Sequence, residues 1–108
     1  MKRMTQPVIV TAVFRIRPES REAVVAAFEP ALTAVHEEPG CELYAMHEAA
    51  DGSFVMIEKW ESEALLDAHG SSPAVAALVG EIKDHLTAEV SVLRMTALPM
   101  GSPGKGAL

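Results

Sequence analysis

An α+β domain with the element order β-α-β-β-α-β, the ferredoxin-like arrangement, is what this sequence predicts. Three observations carry that expectation. Apolar residues alternate at a period of two over residues 8–17, 41–48, 53–61 and 89–98. They recur at helical spacing over 23–35 and 75–86. The breaks between these runs carry turn and capping residues: Pro18, Glu38-Pro39-Gly40, Asp51-Gly52 and Ser72-Pro73.

The first run places Val8, Val10, Ala12, Phe14 and Ile16 on one side and Ile9, Thr11 and Val13 on the other. Both faces are largely apolar, the pattern of a strand covered on two sides. Pro18 stops it. Ser20 is the expected N-cap of the next helix, with Glu22 near the positive end of its dipole. Ala23, Val24, Ala27, Phe28, Ala31, Leu32 and Val35 then form one stripe. Pro30 interrupts the backbone ladder of that helix, which costs about 3 kcal/mol or forces a kink, so a bent helix is expected.

Glu38-Pro39-Gly40 ends the helix. Cys41 to Glu48 and Ser53 to Glu61 read as two strands joined by Ala49-Ala50-Asp51-Gly52, a strong hairpin signal. Ser62 caps a short helix that Gly70 ends, and Ser72-Pro73 starts another, with Ser at the cap and Pro at the first helical position. Val75, Leu78, Val79, Ile82 and Leu86 make its stripe. Glu89 to Leu98 is the last strand, with Val90 and Val92 opposite Leu93 and Met95.

Length and composition bound the rest. With 108 residues the chain is one domain. We divide it into an N-terminal extension (1–7), the domain proper (8–98) and a Gly/Pro-rich tail (99–108) that is flexible unless a partner subunit holds it. Helices on one side of a four-stranded sheet leave the other side bare, and here that side is apolar. Sheet-on-sheet packing into a two-fold homodimer would cover it. The formal net charge of −6, with scattered basic residues, argues against nucleic acid. No apolar run reaches the roughly 20 residues that span a membrane, and Met1-Lys2-Arg3 is not followed by the apolar core of a signal peptide. Cys41 is the only cysteine, which fits a reducing, cytoplasmic setting.

Among residues able to carry chemistry, Trp60 is the only tryptophan and ends a strand. It reads either as a core residue or as a wall of a pocket between sheet and helices. Phe54, Met56 and Glu58 share its strand face, and Glu58 is the one acid there. Glu58 either pairs with Arg94 on the last strand or orients a ligand. His69 follows Leu65 by one helical turn and is either a satisfied structural histidine or a base near neutral pH. Tyr44 and His47 lie on opposite faces of the second strand, so only one can face the pocket. Met46 and Met56 suit adaptable lining. No Gly-x-Ser-x-Gly elbow, phosphate loop or dinucleotide fingerprint is present. His36, His47, His69 and His85 are dispersed, without metal-ligand spacing. Neither a cofactor nor a metal is expected.

Glu38-Pro39-Gly40-Cys41, the hairpin, the segment Met56-Ile57-Glu58-Lys59-Trp60-Glu61-Ser62, and His69-Gly70-Ser71-Ser72-Pro73 together resemble the antibiotic biosynthesis monooxygenases and their quinol-oxidising relatives. The resemblance spans roughly residues 8–98. It implies a homodimer of ferredoxin-like subunits, the assembly called a dimeric α/β barrel, and a small aromatic substrate oxidised by O2 without a cofactor. Trp60 and His69 are the catalytic residues it carries over; the strand faces read above, not the resemblance, put Tyr44, Glu58, Met56 and Phe54 beside the substrate. The sequence departs from quinol-oxidising relatives at Ala74, where they often have a second histidine, and from the haem-degrading branch at Thr11, His69 and Val79. Haem degradation is disfavoured on that ground.

The function expected is a cofactor-independent monooxygenase acting on a hydroquinone or related polyphenol. A phenol near pKa ~10 giving its proton to an imidazole near ~6.5 is uphill by roughly 5 kcal/mol, which hydrogen bonds to the phenolate and a nearby positive charge must offset. Two alternatives stand beside it: an isomerase or tautomerase using the same base without oxygen, and a non-enzymatic binder of a small hydrophobic metabolite.

Overall fold

The computed structural model describes residues 6–108; the extension assigned to residues 1–7 therefore falls largely outside the described residues. Four strands, β1 (Val8–Phe14), β2 (Cys41–Glu48), β3 (Phe54–Trp60) and β4 (Ser91–Met95), form one antiparallel sheet in the order β2-β3-β1-β4. Three helices, α1 (Arg21–His36), α2 (Glu63–Gly70) and α3 (Pro73–Ile82), complete the ferredoxin-like domain.

The sheet is not closed into a barrel, which corrects the expectation taken from the resemblance. Closure requires strand number, tilt and stagger to match. Here four strands of five to eight residues leave β2 and β4 as opposite edges, with β3 and β1 between them.

Local chemistry explains the elements. α1 buries Val24, Ala27, Phe28, Ala31 and Val35, a stripe that starts one residue later than Ala23, which is exposed. The helix runs unbroken through Pro30, whose side chain lies on the exposed face. Ser20 does not cap α1. Pro18–Ser20 forms a 3-10 turn that leads straight into the helix, so Ser20 is itself helical, and its buried hydroxyl shares a 2.8 Å hydrogen bond with His85 Nδ1. Ser62 and Ser72 do cap, accepting from the N–H of Leu65 (3.2 Å) and Val75 (3.3 Å). At the hairpin, Gly52 takes φ +88°, and Asp51 Oδ1 accepts from the N–H of Ser53.

Strand β1 alternates regularly between buried and half-buried residues. Val8, Val10, Ala12 and Phe14 meet the helices with Tyr44, Phe54, Met56 and Trp60 as the core. β4 is shorter than the 89–98 run suggested. The connector before it is tied to the residues that follow β1 by Arg17 N–H to the His85 carbonyl (3.0 Å), by Thr87 N–H to the Arg15 carbonyl (2.8 Å) and by the Arg17 guanidinium on the Asp84 carbonyl. That connector forms one wall of the cavity described next. None of the helices among the described residues is long and apolar enough to cross a membrane.

Candidate functional site

Facing residues on adjacent antiparallel strands share a side of the sheet, so the register builds rows of side chains. One row decides the site. Tyr44 faces Glu58, Glu58 faces Val10, and Val10 faces Arg94. Between Cys41 and Leu43 the β2 register shifts, so that two steps along β2 match one along β3. From Leu43 to Glu48 the pairing is regular, and it puts Tyr44 on the helix side with Glu58. His47, paired with Val55, is exposed on the other side.

Above this row lies a cavity of about 310 Å³. Val10, Ala12 and Phe14 floor it, α2 contributes Leu66 and His69, and α3 contributes Val75, Leu78 and Ile82. The wall is mostly apolar. Its polar groups are Tyr44, Glu58 and His69, with Lys83 and Arg94 as the two cations. Mostly apolar walls with a few convergent polar groups are the usual form of a small-molecule site.

The placement of His69 is built from two separate turns. Ser62 starts α2, whose last turn carries His69. The turn after α1 carries Glu38, and Gly40 at φ +83° lets the chain reverse there. A Cβ on Gly40 would come within 2.5 Å of Leu65 Cδ1, so the glycine also allows α2 to pack against the turn. As a result Glu38 Oε1 lies 2.8 Å from His69 Nδ1. With Nδ1–H donating to the carboxylate, Nε2 is the nitrogen left with a lone pair. The His69 ring is also held by Trp60, at a centroid distance of 4.5 Å and 31° between planes, and by the edge of Tyr44 at 5.3 Å.

Glu58 is buried, and Trp60 Nε1–H donates to its Oε1 at 2.8 Å. Burial pushes the Glu58 carboxyl above the usual carboxylate range, against the opposing pull of the Trp60 bond and of His69. Burial, with the carboxylates of Glu58 and Glu38 nearby, likewise raises the Tyr44 phenol. Tyr44 thus keeps its proton and serves the cavity as an O–H donor.

Of the residues singled out in the sequence, the structure brings Tyr44, Glu58 and His69 to the cavity. Trp60 is fully buried and does not line it; the indole backs His69 and Glu58 from behind. Met56 is fully buried in the core, and Phe54 faces a separate groove beside Phe28 and Leu32. The expected Glu58–Arg94 pair does not form. The two residues stand two strands apart, and Arg94 instead reaches Asp67 (2.7 Å) and Glu63 (3.9 Å) on α2. Glu38 was missed as a site residue, since nothing local marks an acid 31 positions from its partner. Among the described residues no three His, Cys, Asp or Glu side chains group as metal ligands.

The sequence profile of the family described as antibiotic biosynthesis monooxygenase matches residues 7–81. The chain belongs to that family. The Mycobacterium tuberculosis protein Rv0793, provisionally named a monooxygenase, is 35% identical over 100 residues, covering 92% of this chain and 99% of its own. The solved structure of Rv0793 superposes with a TM-score of 0.81 over 89% of this chain and 99% of that one, at 34% identity. The Escherichia coli protein YgiN, provisionally named a quinol monooxygenase, is 37% identical over 98 residues, covering 79% of this chain and 94% of its own. A crystal structure of an antibiotic biosynthesis monooxygenase is similar at 30% identity and a TM-score of 0.80, covering 85% of this chain and 99% of that chain.

Proposed function

We propose that this family member is a cofactor-independent monooxygenase that oxidises a hydroquinone or related polyphenol with O2. The observation that carries the reading is the convergence of His69, Tyr44 and Glu58 on one apolar cavity, with His69 Nδ1 fixed by Glu38. The names of the E. coli and M. tuberculosis relatives support it.

In the proposed reaction His69 Nε2 takes a phenolic proton, and Tyr44 O–H and the Glu58 carboxyl hydrogen-bond the substrate's oxygens. The phenolate passes one electron to O2, giving a semiquinone radical and superoxide. These combine at a ring carbon, and protonation by His69 gives a hydroperoxide. Its C–H and O–O bonds then break, releasing water and leaving a carbonyl on the ring. One oxygen atom enters the product and one becomes water, and all electrons come from the substrate. Trp60 holds His69 and Glu58 in place, and the surrounding apolar wall keeps bulk water from the anion. Met56 and Phe54 act only as packing beneath the site.

Assembly is part of the reading. Ile9, Thr11, Val13, Val55, Ile57, Leu93 and Met95 lie on the side of the sheet away from the helices. Packing of two such faces about a two-fold axis gives the proposed homodimer. Oxygen uptake by metal-stripped protein with a panel of hydroquinones and anthrones tests the chemistry. Uptake above the autoxidation rate that falls in His69→Ala is expected. Binding without uptake would sink the oxygenase and favour an isomerase or a binder.

A further inference from the structure

The proposed reaction uses one end of the row described above. Arg94 stands at the other end, and no step of the reaction employs it. At ~4.8 Å per strand, the backbones of Arg94 and Glu58 lie roughly 10 Å apart across the cavity floor. The side chain lines the cavity, and its guanidinium is held by Asp67 and Glu63, whose own side chains are 65% and 74% exposed. Ion pairs with such exposed partners contribute little, so a ligand carboxylate can replace them at small cost. Arginine presents a planar fork that receives a carboxylate through two parallel N–H bonds. Lys83, on the connector after α3, adds a second cation to the same wall. Two of the chain's nine basic residues thus line a cavity whose remaining wall is chiefly apolar, in a protein of net charge −6.

We infer that Arg94 is a specificity-determining residue that selects an aromatic substrate carrying a carboxylate at the opposite end of its ring system from the hydroxyl bound at the Tyr44–Glu58–His69 end. This rests on the cavity being the substrate site. The carboxylate exchanges with Asp67 for the guanidinium, and the hydroxyl points into the polar cluster. A neutral ring of the same size fits the cavity but leaves Arg94 paired with α2.

Binding alone tests the inference, with no oxidation needed. Calorimetric titration of the full-length protein with 6-hydroxy-2-naphthoate, its neutral carboxamide and 2-naphthol compares three probes of one shape. We expect the carboxylate to bind about tenfold more tightly than the carboxamide, the scale of one charge-assisted contact. Arg94→Gln should bring the two to parity, and Arg94→Lys should restore part of the difference. Asp67→Asn, which frees the guanidinium, should tighten the carboxylate several-fold and leave the carboxamide unchanged. Equal affinity for carboxylate and carboxamide in the unmodified protein overturns the role of Arg94 and leaves the oxygenase reading intact. Discrimination that survives Arg94→Gln does the same. Failure of all three probes to bind overturns the cavity as the aromatic site, and with it both readings.

Discussion

His69 and Glu38 meet at 2.8 Å although 31 positions separate them, one from the last turn of a helix and the other from the turn that ends a different helix. The contact gives the imidazole one committed nitrogen and one available nitrogen. A histidine held in this way can take a proton repeatedly from the same direction.

Glu38→Gln is expected to lower kcat for the proposed quinol oxidation by about tenfold to a hundredfold, less than the roughly hundredfold or more that a positioned base itself contributes, because Glu38 only holds the base. The amide still fills the site, so the melting temperature should hold. His69→Ala should lose at least as much. Steady-state oxygen uptake of both variants checks this, and an unchanged rate in Glu38→Gln would mean that the pair is only structural.

Glu58 makes stability depend on pH. Its carboxyl is raised by burial, so the native state keeps the proton at pH values where the unfolded chain has released it. Stability therefore falls as pH rises from the ordinary carboxylate value through the raised one, and the loss persists above it. The charged and titratable groups that share the cavity with Glu58 are His69, Tyr44, Lys83 and Arg94. Glu58→Gln keeps an acceptor for the Trp60 N–H and removes the titration. The variant should melt close to the parent at pH 4 and a few degrees higher at pH 8, followed by circular dichroism. A constant difference across that range counts against the account.

Gly40 and Gly52 both take positive φ, but only Gly40 is crowded. Gly52→Ala should cost about 1–2 kcal/mol for the left-handed backbone alone. Gly40→Ala adds the overlap with Leu65, for a total of about 2–4 kcal/mol. Urea denaturation of the two variants side by side gives the comparison, and equal costs would show that α2 yields freely.

Leu93 is 58% exposed on the uncovered side of the sheet. Burying that exposed fraction twice in a symmetric interface is worth about 2–3 kcal/mol. Leu93→Lys should therefore weaken the proposed dimer by about a hundredfold, read by sedimentation equilibrium. A parent protein that sediments as a monomer would falsify the interface.

The element order was legible because its signals are local. Pro18, Asp51-Gly52, Ser62 and Ser72-Pro73 act on their own neighbours, and the structure breaks the chain at each. The barrel was not legible in the same way, because it came from the resemblance and needs an edge pairing that this sheet lacks. Choosing Tyr44 over His47 needed the hairpin register, which pairs Glu48 with Phe54 and so puts Tyr44 on the Glu58 side; alternation within β2 alone does not supply it. The Trp60–Glu58 bond had a usable signal, since residues two apart on a strand share a face. Arg94 was instead matched to Glu58 by charge, whereas the sheet places β1 between them.

The burial of Trp60 has a practical use. It is the chain's only indole and it rests against the ring of His69, 4.5 Å away. All tryptophan emission from this protein thus originates beside the proposed base. An imidazolium there draws charge from the excited indole more strongly than a neutral ring does. The molecule carries its own optical gauge of the site's protonation, readable without a label or a substrate.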